Sequence, residues 1–216
     1  MQVKLSTKNE IKEIKELFIS RYKDAKTELK YKNVYELLVS VMLSAQCTDK
    51  RVNIITPELF LAYPDTAAMA KANLESLKML IQSCSFFNNK ASNLIKMAKS
   101  VEENFGGEIP LDELKLVTLA GVGQKTAHVV MIEYSGANLM AVDTHVFRTS
   151  HRLGLSKAKN VQITELDLIK AFTDNLDILH QAMVLFGRYI CTAKNPKCDE
   201  CFLSEYCKSK QGFKAS

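Results

Sequence analysis

Apolar residues recur along most of this chain with the period of an α-helix. Val34, Leu37, Leu38, Val41, Met42 and Ala45 fall at i, i+3, i+4, i+7, i+8 and i+11, one face of a helix. Ala91, Leu94, Ile95, Ala98 and Val101 repeat the pattern, and Gly106-Gly107 supplies a stop. Asp65 and Asn73 stand where N-caps begin two shorter helices. Residues 111–119, LDELKLVTL, read as a short helix. AGVG then turns the chain, and QKTAHVVMIEYSG forms a second helix that Gly136 stops. Thr164 is expected to cap a further helix, and a long helical stretch runs from about Asp174 to Ile190. No period-2 run and no Asn-Gly or Asp-Gly hairpin signal interrupts the series. The expected class is all-α. The break YSGANLMAVD, residues 134–143, is the best candidate for a domain boundary.

Composition changes this picture little. Glycine (8) and proline (4) are scarce in 216 residues, which favours long helices over turn-rich sheets. A net charge of +5 suits a polyanionic partner without requiring one. No apolar run is long enough to span a bilayer, and MQVKLSTKNEIKEIKELF lacks the apolar core of a secretory signal. The expectation is an intracellular, cytoplasmic protein with no membrane partner. In such a compartment six cysteines do not imply three disulfides.

Chemistry enters at three places. In LAGVGQKTAHVV, Gly121 and Gly123 permit positive φ and leave backbone N–H groups open before a helix start, a small anion site suited to a phosphate. A tight helix–helix turn using glycine only for geometry is the plain alternative. Lys125 follows at the positive end of the helix dipole, which disfavours its charged form and makes the amine a candidate nucleophile. The competing role is a solvated lysine touching a phosphate. In AVDTHVFRTSHRLG, Asp143 precedes a helix stopped by Gly154. It is either an N-cap or a carboxylate that orients the amine, accepts a proton and stabilises positive charge on a sugar. The third place is CTAKNPKCDECFLSEYC, with Cys191, Cys198, Cys201 and Cys207 spaced C-x6-C-x2-C-x5-C. Four thiolates so close together bind one tetrahedral metal or one cluster, and spacing alone leaves zinc and iron–sulfur both open. Cys47 and Cys84 lie among apolar neighbours and read as small core residues.

LAGVGQKTAHVV, VDTHVFR, the four-cysteine spacing and LLVSVMLSAQCTD (37–49) together resemble the endonuclease III family of DNA base-excision glycosylases, in the helix-hairpin-helix superfamily. The resemblance runs from about Lys32 to Cys207. It implies an all-α, two-lobed helix-hairpin-helix DNA glycosylase fold with a DNA-binding cleft between the lobes. One lobe is a six-helix domain over residues 27–136; the other joins 1–26 to 137–216 and carries a [4Fe–4S] cluster on the four cysteines. By the same resemblance Lys125 and Asp143 are the catalytic pair, and Gln46 fills the space left by an extruded nucleotide. Phe86 matches an apolar wedge against the opposite strand, with core packing beside Phe87 as its alternative. Gly121, Gly123, His145, Lys194 and Lys197 are expected to touch DNA, with packing near the helix start as the alternative for His145 and a solvated side chain as that for the two lysines; His128 is expected to be structural. Ala120, His128, Cys47 and Ser85 stand where the family usually has proline, asparagine, alanine and glycine; none removes a group the chemistry needs.

The implied activity is bifunctional. A damaged base, expected to be an oxidised pyrimidine, is removed by glycosylase action. The abasic site is then cleaved on its 3′ side by β-elimination through a lysine Schiff base. The partner is double-stranded DNA with damaged bases or abasic sites, met by a monomer in the nucleoid. A monofunctional glycosylase acting on mispaired adenine or alkylated purines is the nearest alternative, and a non-enzymatic DNA-binding module is the alternative from another class. Lys125 speaks against the first, and Lys125 with Asp143 against the second.

Overall fold

The computed structural model describes residues 4–209. Among them run eleven α-helices: α1 (Lys8–Tyr22), α2 (Val34–Ser44), α3 (Asp49–Ala62), α4 (Thr66–Ala70), α5 (Leu74–Ile81), α6 (Phe87–Phe105), α7 (Glu113–Leu116), α8 (Gln124–Ser135), α9 (Thr144–Arg152), α10 (Val161–Phe172) and α11 (Leu176–Tyr189). A single 3-10 turn follows at Cys198–Glu200, and no strand occurs among the described residues. The helices fall into two compact units: Thr27–Gly136, and Met1–Lys26 with Ala137–Ser216. No helix among the described residues is long and apolar enough to cross a membrane.

In the unit Thr27–Gly136, α2 is enclosed by its neighbours. Leu37, Leu38, Val39 and Leu43 are all fully buried, so the helix is apolar around its whole circumference rather than along one stripe. Asn33 starts it by accepting the Glu36 amide at 2.9 Å. Helix α6 shows the expected stripe, with Ala91, Leu94, Ala98 and Val101 inside and Gly106 closing it at φ +62°. Asp65 and Asn73 cap α4 and α5 as the sequence indicates, taking the amides of Ala68 (2.7 Å) and Ser76 (3.0 Å).

Two expectations need correction, and one helix was not anticipated: α3 escapes the periodicity, because Ile54 and Leu61 face outward and Pro57 sits inside it. The helix expected over 111–119 shrinks to the single turn α7, capped by Asp112 and followed by tighter turns through Leu119. Thr164 is not an N-cap. Asn160 has the extended backbone and accepts the Ile163 amide at 2.8 Å, while Thr164 lies one turn inside α10 and donates its hydroxyl to the Asn160 carbonyl.

The second unit closes the chain on itself. Ile14 and Phe18 of α1 are fully buried against residues contributed by α10, α11 and the segment beyond them. Phe18 meets Phe186 at 5.4 Å and Phe202 at 5.9 Å between ring centres, both edge to face. Such pairs add roughly 0.5–1.5 kcal/mol each beyond the area they bury. Helix α9 packs on α11 at Gly187, where a Cβ would stand 2.8 Å from that of His145. Only glycine allows that approach.

Candidate active site and cysteine loop

The hairpin between α7 and α8 is anchored by Leu119 and Val122, both buried. Gly121 adopts φ +79°, and a Cβ there would meet Asn93 of α6 at 2.9 Å; conformation and space both require glycine. Gly123 is different. Its φ of −94° is open to any residue, and a Cβ would meet nothing within 4 Å. Its lack of a side chain therefore serves nothing inside the protein and leaves the backbone approachable from outside. Gly123 is the N-cap of α8 and offers no side-chain acceptor, so the first-turn amides face outward uncapped. Lys125 is the second residue of that helix and is exposed rather than partly buried. His128 is buried, with Nε2 3.1 Å from Oε2 of Glu113, which pins α7 to α8. That is a structural role.

Gln46 and Phe86 come together through their supports. Both are exposed, and both have left-handed backbone (φ 54° and 58°) rare for residues with a Cβ. Core packing is excluded for Phe86, which is 61% exposed. Beneath them lies Lys90, 8% exposed, donating from Nζ to the carbonyls of Leu43 and Ala45 at 2.7 Å each. It ties the last turn of α2, just before Gln46, to the first turn of α6, just after Phe86. Burial pushes its pKa down. Cys84 is core, as expected, but Cys47 is only half buried, and their sulfurs stand 3.6 Å apart.

Asp143 caps α9. Its Oδ1 accepts the amides of His145 and Val146, each at 2.8 Å. Oδ2 is not engaged in either bond. Lys125 and Asp143 belong to different units of the chain. His145 is half buried, with Nδ1 3.1 Å from the Arg148 guanidinium.

The four cysteines line one pocket with Arg152, Leu153, Phe186, Ile190 and Pro196. Among the described residues no group of three or more His, Cys, Asp or Glu is gathered tightly enough for a single metal ion. The fit to a cluster therefore rests on donor set and setting. All four donors are thiols, none is more than half exposed, and Leu153, Phe186, Ile190 and Pro196 flank them with apolar surface. Burial, then the neighbouring thiols, push Cys201 and Cys207 above the usual thiol range, partly offset by backbone hydrogen bonds. Loading a cluster releases these thiol protons. The residues fit. Lys194 and Lys197 are both exposed on the loop.

Two arginines that motif reading passed over fasten this loop to α9. Arg148 donates to the carbonyls of Cys191 (3.0 Å) and Gly187 (2.7 Å). Arg152 donates to the carbonyls of Thr192 (2.7 Å) and Ala193 (3.2 Å), and reaches Cys191 Sγ at 3.3 Å. Their i, i+4 spacing on one helix is the available signal. Lys90 was also legible: with Leu94, Met97 and Val101 it occupies the apolar register of α6.

Residues 39–173 match the model of the HhH-GPD superfamily base excision DNA repair protein, and residues 191–207 that of the iron–sulfur binding domain of endonuclease III. Endonuclease III of Rickettsia felis is 42% identical over 199 residues, covering 92% of this chain and 93% of the relative. The chain belongs to the endonuclease III family. Two solved structures, a non-covalent endonuclease III–DNA complex and a trapped endonuclease III–DNA covalent intermediate, each superpose with TM-score 0.92 at 38% identity. They cover 96% of this chain, and this chain covers 98% and 99% of theirs. As an endonuclease III family member it is a base-excision DNA glycosylase and abasic-site lyase with a [4Fe–4S] cluster.

Proposed function

We propose that Lys125 is the nucleophile and Asp143 its partner carboxylate, acting on oxidised pyrimidines and on abasic sites in duplex DNA. The carrying observation is an exposed primary amine on the first turn of α8, directly after uncapped amides that a glycine leaves open. Those amides take a DNA phosphate, which sets the backbone without reading sequence. A damaged base leaves the stack at lower cost than a sound one. Gln46 occupies the vacated space, and Phe86, exposed on a backbone that holds it outward, wedges the opposite strand.

The amine of Lys125 attacks C1′ of the sugar. The glycosidic bond breaks, and the base departs with its electron pair and gains a proton. The sugar ring opens to an imine on Lys125. Imine formation acidifies the C2′ proton; its removal expels the 3′ phosphate, and water then releases the lysine. Asp143 stabilises the cationic sugar and assists these proton transfers through the oxygen that the cap leaves over. Cys191, Cys198, Cys201 and Cys207 would hold the cluster, which would cross-link the loop. His145, Lys194 and Lys197 add contacts to the DNA backbone. The protein acts as a monomer on chromosomal DNA in the nucleoid.

Borohydride trapping on abasic duplex tests this. Wild type should form a covalent protein–DNA adduct, and Lys125→Ala should not. No adduct with wild type, or an undiminished one with Lys125→Ala, refutes the nucleophile. Duplexes with an oxidised pyrimidine, a mispaired adenine or an alkylated purine then rank the lesions, and preference for either purine overturns the substrate class.

A further inference from the structure

The thiols of Cys47 and Cys84 are not used by the chemistry above, yet they lie where it is most exposed to interference. Cys47 directly follows Gln46, and Cys84 stands two residues before Phe86. Their sulfurs are 3.6 Å apart, and both are free. A disulfide brings sulfurs to about 2.05 Å, so the pair needs to close by only ~1.5 Å. Both residues sit in connecting turns, after α2 and between α5 and α6, so neither helix must bend.

The two thiols are unequal in the way a reactive pair requires. Cys47 is half buried and reachable, whereas Cys84 is 2% exposed. Lys90 Nζ is fixed by two carbonyls and acts electrostatically on both sulfurs, and Arg51 acts on Cys84. Burial and the Cys47 sulfur hold Cys84 protonated. Cys47 is the attacking sulfur and Cys84 the resolving one.

We propose that Cys47 and Cys84 form a redox modification site that hydrogen peroxide closes to a reversible disulfide, displacing Gln46 and Phe86. The Cys47 sulfur, the more accessible of the two, gives up its proton and attacks a peroxide oxygen; the S–O bond forms, the O–O bond breaks, and the leaving hydroxide takes that proton as water. Cys84 then attacks Cys47 Sγ. The S–S bond forms, the S–O bond breaks, and hydroxide leaves with the Cys84 proton as a second water. Two thiols lose two electrons and one hydrogen peroxide gains them. A dithiol reverses the change by exchange and is itself oxidised to a disulfide. The consequence for catalysis rests on the reading of Gln46 and Phe86 as DNA-contacting residues. Closing the bond drags the turns that carry both, and misplacement by about 1 Å lowers turnover on the order of 100-fold.

The test uses the cluster-loaded protein, titrated with hydrogen peroxide while visible absorption confirms that the cluster survives. Expected are a Cys47–Cys84 cross-linked peptide on mapping and a 10- to 100-fold lower kcat/KM, on the scale just given. Dithiothreitol should restore activity, and Cys47→Ser should show neither change. No cross-link, or an equal loss of activity in Cys47→Ser, overturns the site. A cross-link with unchanged kcat/KM overturns the coupling if Gln46→Ala and Phe86→Ala are impaired. If those variants are also unimpaired, their DNA role fails while the cross-link itself still supports the modification site.

Discussion

Asp143 caps α9, and in the proposed mechanism it also serves catalysis; different substitutions separate the two duties. In Asp143→Ala, the His145 and Val146 amides, each 2.8 Å from Oδ1, lose their acceptor. Loss of such a cap costs about 1–2 kcal/mol. Removing an anion from a helix N-terminus adds roughly 0.3–1 kcal/mol. In Asp143→Asn a side-chain oxygen still accepts both amides, so only the smaller charge contribution disappears. A chain of this size loses about 2–4 °C of Tm per kcal/mol. The alanine variant should therefore melt roughly 3–12 °C lower, and the asparagine variant within about 4 °C of wild type. Activity should divide otherwise. Both variants lack the carboxylate, and both should lose ~100- to 10,000-fold in single-turnover cleavage. Thermal melting of cluster-loaded protein beside single-turnover kinetics reads both quantities. An asparagine variant that melts as low as alanine, or that keeps cleavage within tenfold of wild type, refutes the division of roles.

The hairpin glycines give the same kind of contrast. Gly121→Ala should cost at least about 1 kcal/mol in denaturant unfolding, because it meets both a positive φ and Asn93. Gly123→Ala should leave stability within ~0.5 kcal/mol yet weaken binding to abasic duplex in a mobility-shift titration. Arg152→Met removes the bonds to Thr192, Ala193 and Cys191, and should speed the decay of cluster absorbance under chelator several-fold, with Arg152→Lys intermediate. Glu10 makes an acid-side prediction. Its bond to Lys208, then that to the Thr7 amide, hold its pKa near about 2 against an ordinary 4.5. A depressed carboxylate stabilises fully above its unfolded pKa, and that contribution is lost as pH falls from 4.5 towards 2. The urea midpoint of Glu10→Gln should therefore vary less over this window than that of wild type.

What the sequence disclosed followed from how local each cause is. The caps at Asp65, Asn73 and Asp143 are decided within three residues, and a short polar side chain before an apolar run reveals them. The α3 helix stayed hidden because its exposed Ile54 and Leu61 blur the period that its buried side sets. Thr164 misled because a threonine one turn into a helix looks like one at its start, and only the backbone of Asn160 distinguishes them. At the site, spacing revealed the cysteines but not what holds them. Arg148 and Arg152 reach residues about forty positions away, and Lys90 reaches back to Leu43 and Ala45, pairings that no local pattern encodes.

The unit that carries the cysteines is built from both ends of the chain. Phe18 packs on Phe186 and Phe202, so α1 waits for core residues made much later to emerge. At about 5–20 residues per second, that wait is roughly 10–35 s on the ribosome. During it the intervening unit already has its whole sequence, while α1 has nothing of its own unit to bury Ile14 and Phe18 against. The order of assembly is thereby written into the chain: the unit bearing the lysine first, the unit bearing the carboxylate next, and the cluster last. A ribosome stalled before Phe186 would expose the first unit folded and the amino-terminal helix still open to chaperones.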